Sequence, residues 1–260
     1  MRLERALPSV LVWRGQSRTF SRKTLKFNIT EHILYEDESY LVVNKPSGLS
    51  SLNDRSEPVH LLELVRKHFP AATLAHRLDK ETSGVIIVAR SEEAYRHVAI
   101  QFEERTVKKI YHAVVDGTPA YNYQEVEAPI ERLPDGTVRI SGRGRPSLTY
   151  LNTLDTFRNH SLVAAMPVTG RTHQIRIHLS MLGTPITGDV TYGGKMFLLS
   201  SIKRGYKTGK EGEERPIMGR LALHAKKIEF QGLNGHPVRA EAPYPRDFKA
   251  LLNQLERFKP

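Results

Sequence analysis

No apolar run in this chain is longer than the five residues from Val85 to Ala89. Turn formers break the rest into pieces of strand length, which reads as many short strands with few helices between them, an α+β chain. A bilayer-spanning helix needs about 20 apolar residues, so no membrane span is expected. At 260 residues the chain can bury a sizeable core as one large domain or as two lobes, without disulfide or metal staples.

The local patterns place the elements. Ile33 to Lys45 carries β-branched and aromatic residues around an acidic turn and reads as a hairpin ended by Pro46, Ser47 and Gly48. Leu61, Leu62, Val65 and Phe69 follow helical spacing up to Pro70. Leu74 to Leu78 and Val85 to Arg90 read as strands separated by a turn-forming cluster that begins at Asp79. Ser91 is a helix N-cap, with Tyr95, Ala99 and Phe102 on one face and an end near Arg105. A buried strand is expected over Ile110 to Val115. Asp135-Gly136 has the signature of a two-residue turn joining strands at Val126 to Leu133 and Thr137 to Ile140. Further strands are expected over Ser147 to Phe157 and Ser161 to Val168. Thr172 then reads as the N-cap of a helix carrying Arg176 and closed by Gly183. Ser200 to Pro216 is polar and charge-mixed, and reads as an exposed, mobile loop.

Cysteine is absent, which excludes disulfides, thiolate metal sites and cysteine nucleophiles. The formal net charge of +11 points to a polyanionic partner, although a merely basic soluble protein has the same composition. Much of the charge sits at the start: Arg2, Arg5, Arg14, Arg18, Arg22, Lys23 and Lys26 face one acid, Glu4, leaving about +5 for the remainder. Residues 1–32 are therefore expected to form a basic arm, with a catalytic domain over 33–260. The arm's Arg-rich, Ser-containing composition also resembles an organelle transit peptide, and Val10 to Trp13 suits a strand covering a sheet edge.

Two blocks concentrate polar groups beside apolar runs: HRLDKETSG at 76–84 and GRTHQIRIHL at 170–179. A loop aspartate such as Asp79 is ordinarily a turn residue or a cap, and a helical arginine such as Arg176 is ordinarily on the surface. His76, His173, His178 and His224 match no zinc spacing, so no metal is expected and satisfied polar histidines are the default.

Both blocks resemble motifs of the RluA-type family of RNA pseudouridine synthases, whose HRLDxxTSG signature is matched at every fixed position. The resemblance extends through LVVNKPSGL (41–49), KKIYHAVVDG (108–117), GRTHQIRIHLSMLGTPITGD (170–189) and LALHA (221–225), roughly residues 33 to 247. It implies the pseudouridine synthase fold: a bent antiparallel sheet with helices outside and a cleft across its middle. It also implies a cofactor-free isomerisation of uridine, with Asp79 as the catalytic carboxylate, acting as nucleophile or as cation stabiliser. Tyr111 would offer a face on which uracil stacks, Arg176 would keep Asp79 ionised and oriented, and Arg77 would fill the space left by the flipped base or hold the backbone.

The partner implied is RNA, ribosomal RNA ahead of tRNA, met by a cytoplasmic monomer. Only about 32 residues precede the matched region, too few for the small S4-like RNA-binding domain that many relatives carry. A non-catalytic RNA-binding protein of this fold would be expected to have a damaged HRLD block or to lack Arg176. A hydrolase built on His76 and Asp79 would need a metal or a G-x-S-x-G motif, and the sequence has no such motif.

Overall fold

The computed structural model describes residues 28–53, 59–203, 205–206 and 214–259. Residues 1–27 of the basic arm, with the strand expected at Val10 to Trp13, and part of the 200–216 loop lie outside the described residues. The expected hairpin forms as β1 (Ile33–Glu36) and β2 (Tyr40–Lys45), held by Asp37, whose carboxylate accepts the amides of Ser39 and Tyr40 at 2.8 and 2.6 Å. Ahead of it, Ile29 lies in a helical turn over Ile29–His32 and is buried in the first core. Helix α1 (Leu61–Arg66) ends earlier than its spacing predicts, because the chain turns at 67–68, where the His68 and Phe69 amides both bond Val65 O, at 3.0 and 2.9 Å.

The strand expected over Leu74 to Leu78 shrinks to β3 (Thr73–Leu74), and residues 75–82 are irregular up to β4 (Ser83–Ala89). Helix α2 (Glu92–Glu103) is capped as expected, with Ser91 Oγ accepting the Ala94 amide at 3.1 Å. Strand β5 (Lys108–Asp116) follows, then β6 (Gln124–Glu127), and a separate two-stranded hairpin of β7 (Ile130–Arg132) and β8 (Val138–Ile140). Asp135-Gly136 does not form a two-residue turn. Leu133 N bonds Thr137 O and Gly136 N bonds Leu133 O, so Pro134, Asp135 and Gly136 form a three-residue loop that ends on a left-handed glycine, φ +88°.

β9 (Leu148–Thr156) and β10 (His160–Pro167) form the second long hairpin, leading to helix α3 (Gln174–Met181). Thr172 is not the cap of this helix. The Gln174 side chain instead accepts Thr169 Oγ1 and the Arg171 amide at 2.7 and 3.0 Å, and His173 takes a left-handed conformation, φ 54°, before the helix starts. β11 (Leu223–Gln231), β12 (Pro237–Glu241) and helix α4 (Arg246–Arg257) complete the described chain.

The main sheet runs β1-β2-β4-β11-β5-β10-β9-β6, with β12 beside β11 and β3 beside β4. Every pairing is antiparallel except β4 with β11, which meet in parallel through Ser83–His224 and Gly84–Ala225. One core lies under β1, β2, β4, α1 and α2, and the other lies between β5, β9, β10 and helices α3 and α4. Tyr111 packs against both, at a point where the β11–β5 register shifts by one residue between Ala225 and Lys227. Such a bulge bends the strand that carries it and interrupts the ladder. The sheet is therefore broken in register beside Tyr111, between the two cores. No described helix is long and apolar enough to cross a membrane.

Candidate active site

Asp79 projects from an irregular segment whose main chain is held on both sides. Leu78 N and O both bond Ser51 Oγ, at 3.0 and 2.8 Å, and Lys80 O accepts the Gly48 amide at 2.9 Å. Lys45 is fully buried beneath the segment and donates to Lys80 O, Pro46 O and Leu49 O at 3.1, 2.9 and 2.8 Å. Burial lowers its ammonium to about 7. On the far side, Arg220 donates to Glu81 O at 2.9 Å and to Ser83 Oγ at 3.3 Å while gripping Asp247 of α4 at 2.7 and 3.1 Å. The NKP and TSG residues thus serve as the mount of the HRLD segment.

Only glycine fits at the end of that mount. Gly84 has φ +115°, and a Cβ there would sit 2.1 Å from Ala225 O, so the parallel contact between β4 and β11 requires its absence. That contact brings β11, and through it Tyr111 of β5, alongside the Asp79 segment.

The four residues singled out in the sequence meet. Two cavities, of about 100 and 690 Å³, adjoin at Asp79, and Arg77, His173 and Arg176 line both. Tyr111 lines the smaller one. Arg176 Nη1 lies 3.4 Å from Asp79 Oδ2, and Arg77 is exposed at the cavity mouth. Burial, and then the negative charge of Asp79, raise the Tyr111 phenol, so it keeps its proton at neutral pH.

Sequence reasoning gave no role to four neighbours, Asp189, Tyr192, His173 and Lys109. Asp189 is 1% exposed and accepts Arg176 Nε and Nη2 at 2.6 and 2.8 Å, so most of the guanidinium belongs to Asp189 and only one edge faces Asp79. Burial opposes the arginine's charge, but the Asp189 hydrogen bonds and the charges of Asp189 and Asp79 outweigh it and raise its pKa. Tyr192 lies under the same guanidinium, 4.9 Å from ring centroid to Cζ, and its hydroxyl meets His173 Nδ1 at 2.9 Å. His173 is a satisfied polar histidine as expected, but it also borders the site, with its Nε2 3.8 Å from Asp79 Oδ2. Its pKa is lowered by burial against the opposing charge of Asp79. Lys109 also lines the smaller cavity, and burial lowers it to about 8.

The other histidines are held elsewhere. His76 Nε2 accepts the Ile87 amide at 3.0 Å, which turns the ring toward β4. His178 sits between Ser147 Oγ and Thr149 Oγ1, both at 3.0 Å.

A family model described as RNA pseudouridylate synthase matches residues 39–181. Among curated proteins, the chain is 38% identical over 226 residues to ribosomal large subunit pseudouridine synthase C of Vibrio parahaemolyticus, covering 85% of this chain and 67% of that protein. It is 36% identical over 262 residues to the Pasteurella multocida protein of the same name, covering 97% and 77%. Among solved structures, human RNA pseudouridylate synthase domain containing 4 matches with a TM-score of 0.71 at 28% identity, covering 88% of this chain and 94% of that one.

Proposed function

Since the chain belongs to the RNA pseudouridylate synthase family and is an isomerase of that class, we propose that it converts uridine to pseudouridine in large-subunit ribosomal RNA, with Asp79 as the acting carboxylate. The observation that carries this reading is the meeting of Asp79, Arg176 and Tyr111 around one cavity, with Arg176 Nη1 at 3.4 Å from the carboxylate. The relatives' names supply the choice of RNA.

The reaction breaks the C1′–N1 bond, with its electron pair leaving on the uracil. The ring turns, C5 bonds C1′, the C5 proton departs and N1 finishes protonated. No atom is gained or lost. An anionic group at C1′ assists this whether it adds to that carbon or stabilises positive charge on it. Asp79 is suited to the role because its backbone is fixed while its carboxylate faces the cavity, about a quarter exposed. A protonated Tyr111 is matched to stacking and hydrogen-bond donation rather than to acting as a resting base. Arg77, exposed beside Asp79, fits the task of holding the RNA from which the base has been turned. In this reading the protein works as a cytoplasmic monomer, with the basic stretch ahead of Ile29 adding affinity to the catalytic domain, whose start moves back from 33 because Ile29 is buried in its first core.

The test is purified protein on large-subunit ribosomal RNA made without modifications, with pseudouridine read by carbodiimide adduct stops. Asp79→Asn keeps the size and removes the anion, so turnover should vanish while RNA binding is retained. Pseudouridine formation by the pure variant would overturn the role of Asp79.

A further inference from the structure

Beside the cavities at Asp79 lies a groove of about 460 Å³, between the β7–β8 hairpin with its following turn and the 170–172 segment. The groove is built by close backbone contact. Ile130 and Arg145 exchange backbone hydrogen bonds at 2.9 Å, and a Cβ on Gly144 would lie 2.4 Å from Ile130 C, so the turn folds flat against β7. Ile130 and Val138 then seat the hairpin on Ile177 of α3. This arrangement turns the Arg-Gly-Arg stretch at 143–145 into one wall, with Arg132 and Arg171 on the others.

The electrostatics are one-sided. Arg132, Arg143 and Arg145 are exposed and have no carboxylate partner among the described residues, whereas Arg96, Arg139 and Arg239 are each paired with a glutamate. The one acid in the groove, Glu131, is already bound by Arg139 at 3.0 Å. The groove is also continuous with the site: Arg132 lines the larger cavity beside Asp79, and Arg171 lines the smaller.

We propose that this groove grips the phosphate backbone of the RNA strand flanking the target uridine, with Arg132, Arg143 and Arg145 as sequence-independent phosphate contacts. The inference rests on the RNA substrate proposed above. Unpaired guanidiniums projecting from a rigid turn are suited to phosphate oxygens, and such contacts set register and orientation without reading bases. The groove would thereby fix how far along the strand the nucleotide at Asp79 lies.

The test is binding of a short single-stranded RNA, followed by fluorescence anisotropy across a salt series, together with KM and kcat on large-subunit ribosomal RNA. For Arg143→Ala/Arg145→Ala, Kd should rise at least about tenfold and the slope of log K against log salt should shrink by about 1.4, at ~0.7 per lost phosphate contact. The loss on ribosomal RNA should fall on KM and not on kcat. Arg143→Lys/Arg145→Lys keeps the charges and should restore most of the slope, which separates a lost contact from a damaged hairpin. Arg96→Ala, removing an arginine paired to Glu92 on α2, should leave the slope unchanged. An unaltered slope and Kd in the double alanine variant would overturn the proposal, as would a fall in kcat with affinity intact. Binding is read without turnover, so a wild-type protein that modified no uridine would sink the proposed reaction, and the slope would still decide the groove.

Discussion

Arg176 gives two guanidinium nitrogens to Asp189, at 2.6 and 2.8 Å, and reaches Asp79 with the third at 3.4 Å. The bidentate fork fixes the plane of the guanidinium, and Tyr192 beneath it prevents tilting. Asp189 therefore decides where the positive charge beside Asp79 sits, through the arginine it holds.

Asp189→Asn should keep the fold and lower kcat on the order of 10- to 100-fold with little change in KM, because a charge-assisted hydrogen bond contributes about 1.5–3 kcal/mol. Arg176→Met should be worse in both respects. It strips Asp79 of its partner and leaves Asp189 buried and unpaired, a loss of about 3–5 kcal/mol of stability. Steady-state kinetics with urea unfolding of both variants check this, and wild-type kcat in Asp189→Asn would refute the orientation argument.

Gly84→Ala should be among the most damaging single-methyl additions in the molecule. The left-handed φ of +115° and a Cβ 2.1 Å from Ala225 O leave no room for repacking, since the obstacle is backbone. A loss of about 3 kcal/mol or more is expected from strain and overpacking together, a fall of roughly 6–12 °C in Tm for a domain of this size. Scanning calorimetry reads it directly, and a variant melting within a degree of wild type would show that β4 and β11 separate at no cost.

The strand-length apolar runs made the sheet legible, because a period of two and a turn former at each end are local properties. What failed is what depends on distant partners. Asp189 lies inside a motif that resembles the family's, yet no local signal marks it as the ligand of Arg176, since the two meet only because the chain reverses after α3 at Gly183. Thr172 has the composition of a cap, but the Gln174 side chain takes the Arg171 amide and the Thr169 hydroxyl ahead of the helix, and the helix starts only after the left-handed His173. His173 adopts a strained left-handed conformation that sequence patterns disfavour for a non-glycine residue. Helix α4 has Phe248, Leu251 and Leu255 at helical spacing, all buried, but it follows Pro243 and Pro245 in a charged stretch and was not read from the sequence. Its role is visible only in three dimensions, where Asp247 ties it through Arg220 to the segment behind Asp79.

Acid should unfold the protein through its buried histidines. His224 is fully buried, and since Ala242 O, 3.3 Å from Nε2, can only accept, the neutral ring carries its proton on Nε2 and leaves Nδ1 to accept the Ser83 hydroxyl at 3.0 Å. Burial first, and then the positive charges of Lys226 and Arg220, lower it from 6.5 to about 4, and burial with Lys226 and Lys227 does the same to His112. Between those values the unfolded chain binds protons that the native state refuses. Stability therefore falls as pH drops from 6.5 toward 4, with a slope of roughly 1.4 kcal/mol per pH unit for each group. Protonating His224 would also turn the Ser83 hydroxyl away, and Ser83 belongs to the segment that mounts Asp79. His224→Gln should remove one proton from this linkage, so that urea midpoints measured across the window yield a slope lower by about 1.4 kcal/mol per pH unit, whatever the variant's stability at neutral pH. An unchanged slope would mean that His224 already titrates in the folded protein, and that the hydrogen bond from Ser83 does not require a neutral ring.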